Sequence, residues 1–289
     1  MTNLSVALAT YNEESNLAEC LESVKDLADE IVIVDGSSTD KTVEIAREFG
    51  AKILVKDNPP IFHINKQKAI DLASKAWILQ LDADERISQE LKKEIKKIIS
   101  LSEEELEKYE KNLPELNLFL RHQKLIEERD GKVGTDGEYT AFFIPRLNYF
   151  LGKYLRYGGV YPDGVIRLFK RGKAYFPAID VHEQLVVNGK VGWLQNPLYH
   201  KDSPTFKRYL QRNNRYTDIL ASHMKNDHIE VNPLNSINYL ILKPIWWLLL
   251  TQIRHKGILD GMQGFIFSFF SSLRFPIAYL KYLKIRRSK

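Results

Sequence analysis

The first 81 residues alternate without interruption between short β-branched runs and segments whose apolar residues recur at helical spacing, and few folds accept that order. Leu4 to Thr10 is a mostly apolar run with a polar end; Leu17, Leu21, Val24 and Leu27 follow at helical spacing, and Glu30 to Asp35 is again β-branched. Helix (Thr42 to Phe49), strand (Lys52 to Val55), helix (Ile64 to Ala73) and strand (Trp77 to Leu81) come next. Parallel strands need helical crossovers, so the expected class is α/β: a Rossmann-like mixed sheet with helices on both faces. Ligands in such folds sit at the carboxyl ends of the strands.

Ser88 to Lys111, with Leu91, Ile95, Ile98 and Ile99 in a stripe, reads as an exposed amphipathic helix followed by a charged extension. From Leu118 to Tyr199 turn signals at Asp130-Gly131, Asp136-Gly137, Gly158-Gly159, Asp163-Gly164 and Asn188-Gly189 predict hairpins that complete a mixed sheet. Helical sequence takes over after Pro204, so a catalytic domain over 1–203 and a C-terminal helical region over 204–289 are expected. With 44% hydrophobic and 27% charged residues, collagen-like, low-complexity and wholly disordered classes are excluded. The single cysteine, Cys20, cannot form an intramolecular disulfide, and the start lacks the basic and apolar pattern of a secretory signal, which predicts a cytoplasmic protein.

The net charge of +5 is unevenly placed: residues 200–289 hold 15 Lys/Arg against 5 Asp/Glu, and the remainder 27 against 32. That basicity lies beside two apolar stretches, Tyr239 to Leu250 (with Trp246 and Trp247) and Gly264 to Leu283. Lys243-Pro244 and Arg274 interrupt them, so neither suits a membrane span. Peripheral binding to an anionic membrane surface fits better, with aromatic residues at headgroup depth and Lys281, Lys284, Arg286, Arg287 and Lys289 facing lipid; packing within the domain or in a dimer is the competing reading. Arg286-Arg287 is too short a basic stripe for nucleic acid, so no nucleic-acid partner is expected.

No Gly-x-Gly-x-x-Gly follows the first strand and no Gly-x-x-x-x-Gly-Lys-Ser/Thr occurs, which removes the main phosphate cradles of dinucleotide oxidoreductases and P-loop enzymes. The strand from Trp77 instead ends in Asp82-Ala83-Asp84-Glu85. In extended backbone Asp82 and Asp84 point to one side, a pair suited to Mg²⁺ or Mn²⁺ and, through the metal, to a diphosphate. Neighbouring strand ends carry Thr10-Tyr11-Asn12-Glu13-Glu14 and Val34-Asp35-Gly36-Ser37-Ser38-Thr39-Asp40. Helix capping by Asn12, Ser37, Thr39 or Asp40 accounts for part of this, but not for all three clusters together.

In order and spacing these three segments resemble family 2 of the inverting, nucleotide-sugar-dependent glycosyltransferases, which have the GT-A fold. Arg167-Leu168-Phe169, Val181-His182-Glu183, Leu198-Tyr199-His200, Gly257 to Gly261 and Gly264-Phe265 are similar to a bacterial branch that includes lipopolysaccharide core glucosyltransferases. The resemblance implies that Thr10, Tyr11 and Glu13 line a nucleotide pocket, Asp35 bonds the base (uracil expected), Asp82 lies near the ribose and the metal, and Asp84 holds the metal. Asn65, Gln67 and Lys68 fall on the polar helix start that approaches the donor. Arg167 is placed either at phosphate or acceptor, or in a surface ion pair, and His200 is a candidate ligand of metal or phosphate.

On this reading Glu183 is the general base for an acceptor hydroxyl, with Asp180 three residues away as competitor, while His182 positions the loop. The expected reaction is hexose transfer from a nucleoside-diphosphate sugar to a lipid-linked glycan at the inner face of the cell membrane, with Mn²⁺ or Mg²⁺ as cofactor. Transfer to a polyprenyl phosphate, and an inactive membrane-peripheral scaffold, are the alternatives.

Overall fold

A computed structural model of the chain describes residues 3–178 and 184–287. In chain order the elements are β1 (Leu4–Thr10), α1 (Leu17–Val24), β2 (Glu30–Asp35), α2 (Thr42–Glu48), β3 (Lys52–Val55), α3 (His63–Leu72), β4 (Trp77–Leu81), β5 (Glu85–Ile87), α4 (Gln89–Ile98), α5 (Glu103–Lys111) and α6 (Leu116–Asp130). They continue with β6 (Tyr139–Ile144), β7 (Arg146–Phe150), β8 (Lys153–Leu155), β9 (Val165–Lys170), β10 (Ala174–Tyr175), β11 (Val186–Val187), β12 (Lys190–Trp193) and β13 (Leu198–Ser203). The last helices are α7 (Phe206–Asn226), α8 (Pro233–Ile237), α9 (Lys243–Leu249), α10 (Gly261–Ser272) and α11 (Arg274–Arg287). Two compact units result, Met1–Arg146 with Pro162–His200, and Leu147–Tyr161 with Lys201–Lys289.

The first unit is built on a seven-stranded mixed sheet of order β12-β6-β9-β4-β1-β2-β3. β1 pairs in parallel with β2 and β4, whereas β9 runs antiparallel to β4 and β6, which makes the expected mixed sheet. β1, β2 and β4 are buried almost throughout, which is why they read as apolar runs without strict alternation. Leu17, Cys20, Leu21 and Val24 of α1 and Leu91, Ile95 and Ile98 of α4 bury against Leu4, Val6, Leu8, Leu79 and Leu81 in one core. At the amino edge of the sheet Glu30 accepts hydrogen bonds from Ser5 Oγ, Ser74 N (2.8 Å) and Lys52 Nζ (2.5 Å), which tie three strands together. Burial opposes the charge on Glu30, yet these donors hold its pKa down at about 2.

Local sequence explains two departures from expectation. The charged extension expected after the helix from Ser88 is itself a helix, because Ser102 and Glu105 form a capping box that starts α5 afresh. Leu116–Asp130, where shorter strand segments were expected, is a 15-residue helix that buries Phe119 and Ile126. Its Gly131, at φ +99°, ends it by donating to Glu127 O (3.1 Å) instead of turning a hairpin. Gly164 likewise does more than turn the chain: a Cβ there would come within 2.1 Å of the Trp193 ring, which stacks between Phe119 and Phe143.

In the second unit β7 and β8 form a hairpin, and Phe150, Leu155 and Tyr209 bury with Phe206, Ile266 and Phe267. Residues 147–161 join this unit because buried Asp260 accepts from the backbone N–H of Arg156 (3.0 Å) and Tyr157 (2.8 Å). α7 and α11 pack through Ala221, Met224, Ala278, Tyr279 and Tyr282. Lys281, expected to face lipid, instead binds Asp218 (2.7 Å), Thr217 (2.8 Å) and Asn214 on α7. Lys289 lies outside the described residues.

Buried Glu110 accepts from Trp193 N (2.7 Å), but burial dominates and raises its pKa to about 7. A carboxyl whose folded pKa exceeds its unfolded value costs nothing below pH ~4.5 and lowers stability progressively until about pH 7, at most about 3 kcal/mol. Glu110→Gln should therefore abolish this fall and raise the unfolding midpoint above pH 7; a midpoint that varies with pH as in the wild type would contradict it.

Candidate active site

Register brings the polar strand ends together. Thr10 pairs with Asp35 and Leu8 with Leu81, so Thr10, Asp35 and Asp82 leave the sheet at the same carboxyl edge. Asp35 is buried and accepts from Thr10 Oγ1 (2.8 Å), Ser38 N (2.8 Å) and Ser38 Oγ (2.6 Å). Asn12 (φ +54°) and Ser37 (φ +63°) adopt the left-handed conformation that these turns require. Three of the residues read as possible caps, with Ser38, lace the two loops together: Asn12 Oδ1 accepts from Thr39 N (2.9 Å), Ser38 Oγ from Asn12 N (2.8 Å), and Asp40 Oδ2 from Glu14 N (3.1 Å). Glu13 N donates to Thr42 Oγ1 (2.7 Å), and Tyr11 is left 47% exposed at the mouth.

The expectation that Asp82 and Asp84 share one side of an extended strand gives way to a turn, closed by Glu85 N to Asp82 O (3.0 Å). Their carboxylates accordingly have different partners. Asp82 is gripped by Lys66 Nζ (2.5 Å) and Arg167 Nη2 (2.6 Å). Arg167, far from forming a surface pair, is buried and also donates to Gln80 Oε1 and to fully buried Glu85 (2.8 Å). Arg146 extends the chain of charges to Glu85 (3.4 Å) and Asp163 (2.9 Å). Burial penalises the Asp82 charge, but Arg167 and Lys66 outweigh that and hold its carboxyl well below the usual range; burial also draws the Lys66 pKa downward against the pull of Asp82.

Asp84 pairs with His200 instead, Oδ2 to Nε2 at 3.5 Å. β13 pairs antiparallel with β5, placing His200 opposite Glu85 and thus beside the turn. Arg86 fixes that turn by donating to Ala83 O (2.7 Å), Glu85 O (2.9 Å) and Asn16 O (2.8 Å). Among the described residues no cluster of three or more His, Cys, Asp or Glu is arranged to hold a metal unaided. A carboxylate and an imidazole are nonetheless a donor set that fits a hard divalent cation, if phosphate and water complete the shell.

Of the helix residues, Gln67 accepts from Phe176 N (2.7 Å), Lys68 is half-buried, and Asn65 Nδ2 donates to Asp57 O (3.0 Å) while its buried Oδ1 has no protein partner. Asp180, His182 and Glu183 lie outside the described residues. Lys66, Gln80, Glu85, Arg146 and Asp163 were not singled out from sequence. A signal existed for Lys66: it shares the buried face of α3 with His63 and Ile70, where a cation needs a counter-ion.

Residues 5–107 match the family model described as glycosyl transferase family 2. An uncharacterised glycosyltransferase of Rickettsia typhi is 27% identical over 99% of this chain and 87% of its own length. The lipopolysaccharide core biosynthesis glycosyltransferase LpsC of Rhizobium meliloti is 24% identical over 94% of this chain and 91% of its own. A crystal structure of glucosyl-3-phosphoglycerate synthase from Mycobacterium tuberculosis, in complex with Mn²⁺, UDP and glucosyl-3-phosphoglycerate, aligns over 28% of this chain and 33% of that one, with 24% identity and a TM-score of 0.26.

Because Arg167 serves both Asp82 and Glu85, Arg167→Met should destabilise the fold by about 3–5 kcal/mol in urea unfolding, the range for stranding a buried charge. Lys66→Met, which leaves Asp82 one partner, should cost less. The depressed Asp82 pKa adds stability above its unfolded pKa of about 3.9 that is lost as pH falls toward the folded value. Arg167→Met should therefore also flatten the acid limb; equal, small losses in both variants would contradict the network.

Proposed function

We propose, starting from a chain that is a family 2 glycosyltransferase, that it transfers a hexose from a nucleoside-diphosphate sugar, UDP-linked, to a hydroxyl of a lipid-linked glycan at the inner face of the cell membrane, with inversion. The observation that carries this reading is the gathering of polar groups at the end of β4: Asp82 is gripped by Lys66 and Arg167, and Asp84 faces His200 (3.5 Å), at the same edge as Thr10 and Asp35. The match to LpsC along most of the chain supports the lipid-linked glycan as acceptor class.

Thr10, Tyr11, Glu13 and Asp35 take the nucleoside, with exposed Tyr11 offering a flat face to the base. Asp82, held rigid by Lys66 and Arg167, meets the ribose. Asp84 and His200 hold Mn²⁺ or Mg²⁺, which when bound neutralises charge on the departing diphosphate. Gln67 and Lys68 lie on the helix that approaches the sugar, and Gln67 also anchors the backbone at Phe176. Glu183 takes the proton of the acceptor hydroxyl as its oxygen bonds to the anomeric carbon. The opposite bond to phosphate breaks at the same time, and its electron pair leaves with the nucleoside diphosphate. Asp180 is the competing base, and His182 positions the loop.

Transfer assays with UDP-sugars test the assignment. Glu183→Gln should lower kcat by roughly 10²–10⁴-fold with the donor KM little changed, the signature of a lost general base. Asp84→Ala should raise the donor KM and remove its metal dependence. Full activity in either variant, or transfer to polyprenyl phosphate that ignores Glu183→Gln, would overturn the mechanism.

A further inference from the structure

The second unit is turned inside out between residues 237 and 272. Its exposed side chains there are Ile, Leu, Trp, Met and Phe: Leu242 is 57% exposed, Trp246 58%, Ile253 71%, Ile258 70% and Met262 69%. The charged exceptions are Arg254 and Lys256, at the turn between the two helical arms. What these arms bury is small and polar: Thr251, Gly257, Asp260, Gly264, Ser268, Ser271 and Ser272. α7 in the same unit has the usual polarity, with Lys207, Arg208, Gln211 and Arg215 outward and Ala221 and Met224 inward.

Small residues let the arms approach, and polar side chains join them. Gln252 Nε2 donates to Ser268 Oγ (2.6 Å) and Gly264 O (3.0 Å), and Trp247 Nε1 to Ser271 Oγ (3.0 Å). A Cβ on Gly264 would sit 2.2 Å from Gly257 O. Polar contacts inside and large apolar side chains outside are how helices pack when the surrounding medium is hydrocarbon. Among the described residues no helix is long and apolar enough to cross a membrane, so these arms suit one leaflet. Charge fits the same medium: from residue 231 onward the sequence holds nine Lys/Arg and one acidic residue, Asp260, which is buried.

We infer that residues 237–272 form a helical hairpin inserted in one leaflet of an anionic bilayer, with Trp246, Leu249, Ile253, Ile258 and Met262 among the acyl chains. Trp247 stays within the hairpin, where the Arg274 guanidinium lies 4.0 Å over its ring. This deepens the membrane-face placement proposed above and rests on it, but not on the transfer chemistry.

The test uses the full chain and phosphatidylcholine vesicles with and without phosphatidylglycerol, some carrying bromine on the acyl chains. Flotation should recover the wild type with anionic vesicles, and acyl-chain bromine should quench tryptophan emission, a signal that Trp246→Phe largely removes. Leu249→Glu with Met262→Glu should weaken binding by roughly tenfold or more, while circular dichroism and UDP binding stay as in the wild type. Failure to float, quenching unchanged in Trp246→Phe, or a stable dimer in free solution that the double variant converts to monomer would overturn the inference. UDP binding on the same preparations keeps the two readings apart: its loss with flotation intact rejects the transferase alone.

Discussion

Two carboxylates in the turn after β4, partly buried Asp82 and fully buried Glu85, are held there because cations from three other places in the chain reach them. Lys66 comes from α3, Arg167 from β9 and Arg146 from the start of β7. Removing one such cation strands a charge, whereas the intact set pays for its desolvation with paired, charge-assisted hydrogen bonds. The helices and strands that form the donor edge are thereby referenced to a single point, and the turn that carries Asp84 is fixed by the same network through Glu85 and by Arg86.

This accounting shapes what the site can bind. Lys66, Arg146 and Arg167 face Asp82, Glu85 and Asp163, so the cations of this network are already matched by its anions. A diphosphate arriving at this edge, on the proposed reading, brings charge that these residues, already paired, do not neutralise. On the proposed reading the added positive charge enters as a divalent cation at Asp84 and His200, and the internal lock on Asp82 keeps that carboxylate from competing for it. A fixed Asp82 and an Asp84 turned toward His200 are compatible because the turn Asp82-Ala83-Asp84-Glu85 aims the two carboxylates at different partners.

Much of the fold was legible because its signals are local. Strands buried on both faces read as apolar runs, α1 and α4 show their buried stripes, and polar strand ends announced the edge where Thr10, Asp35 and Asp82 gather. Less local features were hidden. Ser102 resets the helix by a cap visible only as Ser-x-x-Glu, and Gly131 serves a helix end where the same dipeptide also suits a hairpin. Arg167 read either as a phosphate or acceptor contact or as half of a surface ion pair, because its actual partners lie 82 to 87 positions away in sequence. The inverted polarity of residues 237–272 was half visible: the apolar stretches were plain, but only packing reveals that their Ser, Thr and Gly point inward and that Lys281 is spent on α7.

Electron paramagnetic resonance titration of Mn²⁺, with and without UDP, in the wild type, Asp84→Asn, His200→Gln and Asp82→Asn, tests whether Asp84 and His200 couple metal to nucleotide. UDP should tighten Mn²⁺ binding in the wild type, Asp84→Asn should abolish this coupling and His200→Gln weaken it, and Asp82→Asn should affect folding stability more than the metal signal. Coupling that survives Asp84→Asn, or UDP binding indifferent to Mn²⁺ and chelator, would contradict it.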